Sequence, residues 1–186
     1  MAKRADTGLI AAVGGTVAAV VVAVIMALPG AAVAQSSEAV GAKRDWSIFK
    51  QGSAADRQCW IVSQPTTSTA SRGGRPVDVN RGDIFLMVAI RPGAQVKNEV
   101  SMIAGYPFRS GSSVTMQVSN SKFEMFTDGE GAWTDSAAKD DEVVAAMRRG
   151  ANAKLTGTSS RGTQTVDTFS LIGFTAALEE ARALCN

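Results

Sequence analysis

Two carboxylates, Asp128 and Glu130, lie in a Thr-Asp-Gly-Glu-Gly segment. Paired carboxylates are the catalytic groups of glycoside hydrolases, which hold them roughly 5 to 10 Å apart across a cleft, and carboxylate oxygens also bind calcium. The acids available to face them in a hydrolase are Asp83, Glu99 and Asp167. Acidic residues between glycines are most often turn formers, and the segment therefore favours a turn over a catalytic or calcium site.

The chain contains no histidine, which excludes Ser-His-Asp, Cys-His and histidine-metal sites. The glycine-rich segment GTSSRGT, residues 157–163, has the glycine spacing of a phosphate loop, but Thr163 stands where the lysine belongs. It is not a nucleophile elbow either, because Arg161 occupies the second glycine position. This segment predicts a hairpin turn, and we expect no catalytic, cofactor-binding or metal-binding residues.

The two cysteines are Cys59 and Cys185, the latter one residue from the end of the chain. An even number of cysteines in an exported chain indicates a disulfide, while the alternative is a pair of buried free thiols. No CxxC spacing indicates redox catalysis.

Aromatic residues on short strands usually fill a core, although the three tryptophans could also line a sugar-binding or apolar pocket. The segment Tyr106-Pro107-Phe108 is the most exposed aromatic group that we expect, because proline removes a strand donor and ends strand pairing. These three residues are the candidate partner surface.

Short apolar or alternating runs recur between turn-forming residues, which predicts a mainly β, antiparallel sandwich or jelly-roll-like single domain. The runs are DWSIFK, QCWIVSQ, DIFLMVAIR, NEVSMIAGY, SVTMQV, KFEMF, AKLTGTS and TVDTFSL. Residues 84–90 are apolar at every position and predict a central strand buried on both faces. Residues 65–75 are polar and predict a loop.

Two short helices are predicted at about 139–149 and 174–185. The first has acidic residues near its start, arginines at its end, and Gly150 as a left-handed cap. The second carries Phe174, Leu178, Ala181 and Cys185 at helical spacing on one face, which directs the Cys185 thiol toward the sheet.

Residues 1–34 have the layout of a secretory signal peptide: Lys3 and Arg4, an apolar helical run at 9–28, and small residues before a cleavage point after Ala34. The apolar run is 20 residues long, which is also enough to span a bilayer. The alternative is therefore an uncleaved membrane anchor. In both cases the basic start stays in the cytoplasm and the rest of the chain is exported. Residues 35–44 are polar and predict a linker.

Several blocks, taken in order over residues 45–185, resemble the invasion-associated locus B family of alphaproteobacteria. The blocks are DWSIF, CWIVSQP, RGDIFLMVAIRPG, NEVSMIAGYPF, FEMFTDGEGAW, VVAAMRRG, TGTSSRGTQTVDTFSLIGFTAAL and the final cysteine. The resemblance implies an exported envelope protein with a β-sandwich-like domain over 45–186, and it matches the family's paired cysteines to Cys59 and Cys185. It implies no catalytic residues, and a role in host-cell entry does not transfer to this shorter form.

The sequence therefore predicts a non-enzymatic envelope protein that binds an unknown protein or envelope component in the periplasm. The alternative is a single-span accessory subunit of an envelope or respiratory complex, anchored in the inner membrane with its β domain in the periplasm. A membrane partner is expected only if the N-terminal helix is retained. The net charge of +2 and the scattered arginines predict no nucleic-acid partner and, with the composition, no cofactor.

Overall fold

Twelve strands, two α-helices and a short 3-10 helix at Pro92–Ala94 make up the part of the chain that this computed structural model describes, residues 37–54 and 56–186. The strands are β1 (Glu38–Lys43), β2 (Trp46–Gln51), β3 (Gln58–Ser63), β4 (Thr67–Arg72), β5 (Arg75–Pro76), β6 (Phe85–Arg91), β7 (Val96–Ile103), β8 (Ser113–Val118), β9 (Ser121–Asp128), β10 (Gly131–Trp133), β11 (Asn152–Thr158) and β12 (Gln164–Ser170). The helices are α1 (Ala137–Met147) and α2 (Phe174–Cys185). The predicted leader over 1–34 lies outside the described residues.

The strands form one antiparallel sheet in the order β1-β2-β3-β6-β7-β10-β9-β8-β11-β12-β4-β5. Although β2 and β12 are far apart in that order, the indole N–H of Trp46 in β2 donates to the carbonyl oxygen of Ser170 in β12 over 3.0 Å. The backbone N–H of Asp45 donates to Ile172 beside them. The sheet therefore folds back on itself, as the mainly β, sandwich-like prediction requires.

The central strand β6 lies between β3 and β7, as its apolar sequence predicts. Its Leu86, Val88 and Ile90 face the core and are buried. Phe85 and Met87 alternate with them and are only half-buried. The prediction of burial on both faces is therefore wrong for the outer face, whose side chains stay partly exposed among the described residues.

Helix α2 covers the early strands with the face that the sequence predicts. Phe174, Leu178 and Cys185 are buried, and the ring of Phe174 meets that of Trp46 edge-on at 5.0 Å. Neither α-helix of the described residues is long and apolar enough to cross a membrane.

Helix α1 is fixed to β7 by the buried carboxylate of Asp140. The backbone N–H of Val100 in β7 donates to Asp140 Oδ1 over 2.8 Å, and the hydroxyl of Thr134 donates to the same oxygen. Burial raises the pKa of Asp140, and these two hydrogen bonds oppose the rise. An acid in the first turn thus positions the helix through its contacts with the sheet.

Three local predictions require correction. The predicted linker over 35–44 contains edge strand β1, and the predicted loop over 65–75 contains β4 and the first residue of β5. These strands are polar because much of their surface is exposed, so they show no apolar alternation. Gly150 does not take a left-handed cap, since it has no positive φ. It provides space instead, because a Cβ there would collide with Val118.

Candidate functional site

A polar cavity of about 440 Å³ lies at the end of the sheet where the turn after β11 meets the segments after β5 and β7. Its lining consists of Arg72, Asp78, Val79, Asn80, Arg81, Gly105, Tyr106, Pro107, Glu130, Ser159, Ser160, Arg161, Thr163 and Thr165. This volume falls within the range of small-molecule sites in proteins.

The predicted partner surface lies partly in this cavity. Tyr106 and Pro107 line it. Phe108 is only 7% exposed and packs edge-on against Tyr106 at 5.2 Å, beneath Gly157. The expectation that all three residues are exposed is wrong for Phe108, because its isolated bridge to Ser159 turns the side chain into the core.

The floor of the cavity includes Arg81, which forms a buried ion pair with Asp167 that we term the Arg81 clasp. Both guanidinium Nη groups of Arg81 donate to the carboxylate of Asp167, over 2.8 and 2.9 Å. Its Nε and one Nη also donate to the carbonyl oxygen of Ala104, over 3.0 and 2.7 Å. The guanidinium carbon lies 4.8 Å from the centre of the Tyr106 ring. The clasp joins the loop before β6 to the end of β7 and to β12.

The clasp requires a close backbone approach at Gly105. The N–H of Gly82, beside Arg81, donates to the carbonyl oxygen of Gly105 over 2.9 Å. Gly105 has φ of 68°, and a Cβ there would collide with the carbonyl oxygen of Gly82. Glycine is thus required by both the conformation and the space.

Tyr106 is held between the clasp and the cavity. Its hydroxyl lies 2.6 Å from that of Thr165 on β12. Burial raises the pKa of Tyr106, although the Thr165 hydrogen bond and the positive charge of Arg81 act in the opposite direction. The phenol therefore stays protonated at neutral pH and acts as a neutral hydrogen-bonding group.

The turn over residues 158–164 forms another wall and is the hairpin turn that the sequence predicts, since Thr158 pairs with Gln164. The backbone N–H of Ser160 donates to the carbonyl oxygen of Pro107 over 2.9 Å. Arg72 on β4 donates to Thr163 Oγ1 from Nε and Nη2, over 3.2 and 2.8 Å. The glycine-rich segment is thus structural and presents Arg161 at the cavity.

Of the carboxylates considered for a hydrolase, Glu130 and the Arg81-bound Asp167 lie at the cavity, whereas Asp83, Glu99 and Asp128 do not line it. Asp128 and Glu130 flank the β9–β10 turn, where Gly129 has a positive φ, and only Glu130 lines the cavity. Glu99 pairs with Arg91 on the neighbouring strand, and Asp167 belongs to the clasp. Residues 129–130 form a turn, as the sequence predicts, and the Glu130 side chain also forms part of the cavity wall.

The comparison with protein families gives a match over most of the chain. Residues 46–182 match the family model described as "Invasion associated locus B (IalB) protein". The chain belongs to the invasion associated locus B family. No curated protein and no solved structure matches it significantly.

In this IalB-family chain the predicted cysteine pair comes together across the fold. The sulfur atoms of Cys59 on β3 and Cys185 on α2 lie at bonding distance, 2.09 Å, although the residues are 126 positions apart in sequence. Arg57 adds a second link to the same helix end, because its Nη1 donates to the carbonyl oxygen of Leu184 over 3.0 Å. The last turn of α2 is therefore tied to the strand on which it packs.

The outer face of the IalB-family sheet carries two aromatic pairs. The rings of Phe49 and Trp60 are 5.7 Å apart with nearly parallel planes, and those of Phe126 and Trp133 are 5.9 Å apart. Only Trp46 among the tryptophans is fully buried, so the expectation that tryptophans fill the core holds for one of three. The sequence does contain a signal for the outward position of Trp60. Side chains alternate along a strand, and Cys59 and Ile61 of β3 face inward, so Trp60 between them faces outward.

Metal binding has no candidate residues in the described part of the chain. No group of three or more cysteine, aspartate or glutamate side chains is placed there to hold a metal ion. The functional features that sequence reasoning missed are the clasp and the cavity.

Proposed function

We propose that this IalB-type protein is exported and acts in the periplasm by binding a protein or another envelope component in the polar cavity. The observation that carries this proposal is a contrast within the cavity: its framework is held by hydrogen bonds, while three charged side chains of its lining have no partner among the described residues. The clasp and the 158–164 turn fix the wall by hydrogen bonds. The side chains of Asp78, Glu130 and Arg161 line the cavity and have no hydrogen-bond or ion-pair partner among the described residues.

Binding without catalysis is supported by the state of the groups that could react. Asp167 is occupied by Arg81, and the Tyr106 hydroxyl is bonded to Thr165. Ser159 Oγ accepts from the backbone N–H of Thr163. With no histidine in the chain, the serine and threonine hydroxyls lack the base that usually activates them.

Export is supported by the leader-like residues 1–34 and by the placement of the cysteines. Disulfides persist in oxidising compartments such as the periplasm and are rare in the cytoplasm. A disulfide between Cys59 and Cys185 agrees with the geometry of the folded domain. The family membership agrees with an envelope protein of the IalB type.

Photo-crosslinking in living cells tests the binding site. Val79 lines the cavity and is 42% exposed, so a photoreactive phenylalanine analogue at this position faces any bound component. The matched control carries the same analogue at Ile172 before α2, 61% exposed. We expect a discrete crosslinked species from position 79 only. A crosslink from position 172 but none from position 79 would contradict the proposal.

The outer aromatic face favours a second candidate, carbohydrate binding. Near-parallel, partly exposed rings such as Phe49 and Trp60 offer faces on which sugars stack. Titration with soluble cell-wall glycan fragments, followed by tryptophan fluorescence, tests it. A saturable change that the Trp60→Ala variant abolishes would support this candidate, and an unchanged spectrum would remove it.

A further inference from the structure

The lining of the cavity carries charged groups of both signs. The positive charge of Arg81 is neutralised within the floor, because the carboxylate of Asp167 is fully buried against it. The remaining ionic groups of the lining are the guanidinium groups of Arg72 and Arg161 and the carboxylates of Asp78 and Glu130. A ligand that enters the cavity therefore meets two cations and two anions.

The two remaining arginine side chains of the lining, Arg72 and Arg161, are positioned by the 158–164 turn. Arg161 lies in the 158–164 turn, and Arg72 is hydrogen-bonded to Thr163 of the same turn. These bonds use Nε and Nη2 of Arg72, which leaves Nη1 without a partner among the described residues. Arginine donors suit a carboxylate because two N–H groups can reach its two oxygens.

Glu130 is positioned by a different element, the β9–β10 turn. The backbone N–H of Ala104 donates to the carbonyl oxygen of Glu130 over 2.9 Å, so the β9–β10 turn lies beside Gly105 and the start of the Tyr106 segment. Asp78 comes from the loop that leads to the clasp. Arg161 and Glu130 thus come from separate turns, whereas Arg72 and Asp78 flank the same β4–β5 hairpin, in which the backbone N–H of Val77 donates to the carbonyl oxygen of Ala70 over 3.0 Å.

This arrangement selects against ligands that carry a single sign of charge. A phosphate attracted to Arg72 and Arg161 would also meet Asp78 and Glu130, and a polyamine would meet both arginines. A ligand with a carboxylate at one end and an ammonium group at the other can pair with both sets. Val79 and Pro107 add apolar surface for the part between its ends.

We propose that the polar cavity binds a short peptide through both of its free ends. The C-terminal carboxylate pairs with Arg161, and the N-terminal ammonium group pairs with Glu130, two lining side chains from different turns that have no partner among the described residues. A volume of about 440 Å³ accommodates a peptide of a few residues. The inference rests on the proposed function, because it names the ligand class of the same cavity.

Calorimetric titration of the purified full-length protein tests this proposal with three probes: tri-alanine, N-acetyl-tri-alanine and tri-alanine amide. We expect tri-alanine to bind and each cap to weaken binding about tenfold, because a charge-assisted contact is lost. Equal affinity for the three probes, binding of the acetylated form alone, or no binding of tri-alanine would overturn the proposal.

Two variants test which end of the peptide binds Arg161 and which end binds Glu130. Arg161→Gln should weaken tri-alanine and its acetylated form about tenfold but leave the amide unchanged, because the amide has no carboxylate to lose. Glu130→Gln should weaken tri-alanine and the amide but leave the acetylated form unchanged. Arg149→Gln, an exposed change outside the cavity, is the matched control and should alter none of them. Reversed or unselective effects would contradict the assignment.

The outcome is separable from that of the proposed function. If position 79 crosslinks to an envelope component while tri-alanine does not bind, the cavity is a binding site for a different ligand and only the peptide inference fails. If position 79 gives no crosslink while tri-alanine binds, the peptide inference stands and the larger partner is excluded.

Discussion

Replacing Asp167 with asparagine removes the anion that faces Arg81 in the floor of the polar cavity. The Asp167 side chain is 0% exposed and that of Arg81 is 8% exposed, so solvent cannot compensate the guanidinium charge. Removing one member of a buried ion pair costs about 3 to 5 kcal/mol of folding free energy. We expect a loss of that size for Asp167→Asn, for Asp167→Leu and for Arg81→Met, because each leaves one charge of the pair buried without its partner.

The double variant Arg81→Met with Asp167→Leu should be far less destabilised than the sum of the single changes. It removes both charges and leaves the carbonyl oxygen of Ala104 without its two donors from Arg81. One unsatisfied buried acceptor costs about 1 to 3 kcal/mol. The expected loss for the double variant is therefore about 1 to 3 kcal/mol, and the two single effects are strongly non-additive.

Equilibrium unfolding in urea, followed by tryptophan fluorescence without reductant, measures these differences. Glu179→Gln is the control, because Glu179 pairs with Arg148 at the surface and its side chain is 62% exposed. An exposed ion pair contributes within about 1 kcal/mol. Single clasp variants that lose less than the control, or single effects that simply add, would refute the assignment of the clasp as the element that holds the cavity floor.

Reduction of the Cys59–Cys185 disulfide should lower the free energy of unfolding by up to about 5 kcal/mol in chain-entropy terms, given that the cysteines are 126 positions apart in sequence. A urea midpoint that dithiothreitol does not shift would contradict this. Asp140→Asn should stabilise the protein at pH 7, because the raised pKa of Asp140 means that the fold favours the neutral carboxyl. The neutral carboxyl of Asp140 stabilises the fold fully below the unfolded pKa near 3.8. That stabilisation is lost as the pH rises through the folded pKa. The gain should disappear below pH 4 in parallel melting curves, whereas Asp140→Ala should destabilise at both pH values because the Val100 N–H loses its acceptor. Gly105→Ala should destabilise the fold and weaken tri-alanine binding, and unchanged unfolding would show that the backbone approach at Gly105 is not required.

The sequence predicts the apolar framework well, because apolar spacing reflects burial directly. The alternation of Val114, Met116 and Val118 places β8 with one face in the core, and the spacing of Phe174 and Cys185 places α2 and its thiol against the sheet. The polar strands β1 and β4 have no such signal. They exist because neighbouring strands offer backbone partners, which a local pattern does not contain.

The cavity was not predictable in the same way, because its parts come from distant segments. Arg81 and Asp167 are separated by 86 positions, and no local spacing connects them. One sequence signal did exist: in TVDTFSL the inward register that carries Thr165 and Phe169 also carries Asp167. An acid at an inward strand position requires a buried cationic or hydrogen-bonding partner, and Arg81 is that partner of Asp167.

The intact mass of the protein isolated from cells, after thiol alkylation without reduction, tests the account of an exported, disulfide-closed binding domain most directly. The account predicts a chain that begins at Gln35, in a soluble periplasmic fraction, with neither Cys59 nor Cys185 alkylated. A chain that retains the apolar residues 9–28 in the membrane fraction would support the anchored accessory subunit instead. Two alkylated cysteines in the native protein would contradict the account.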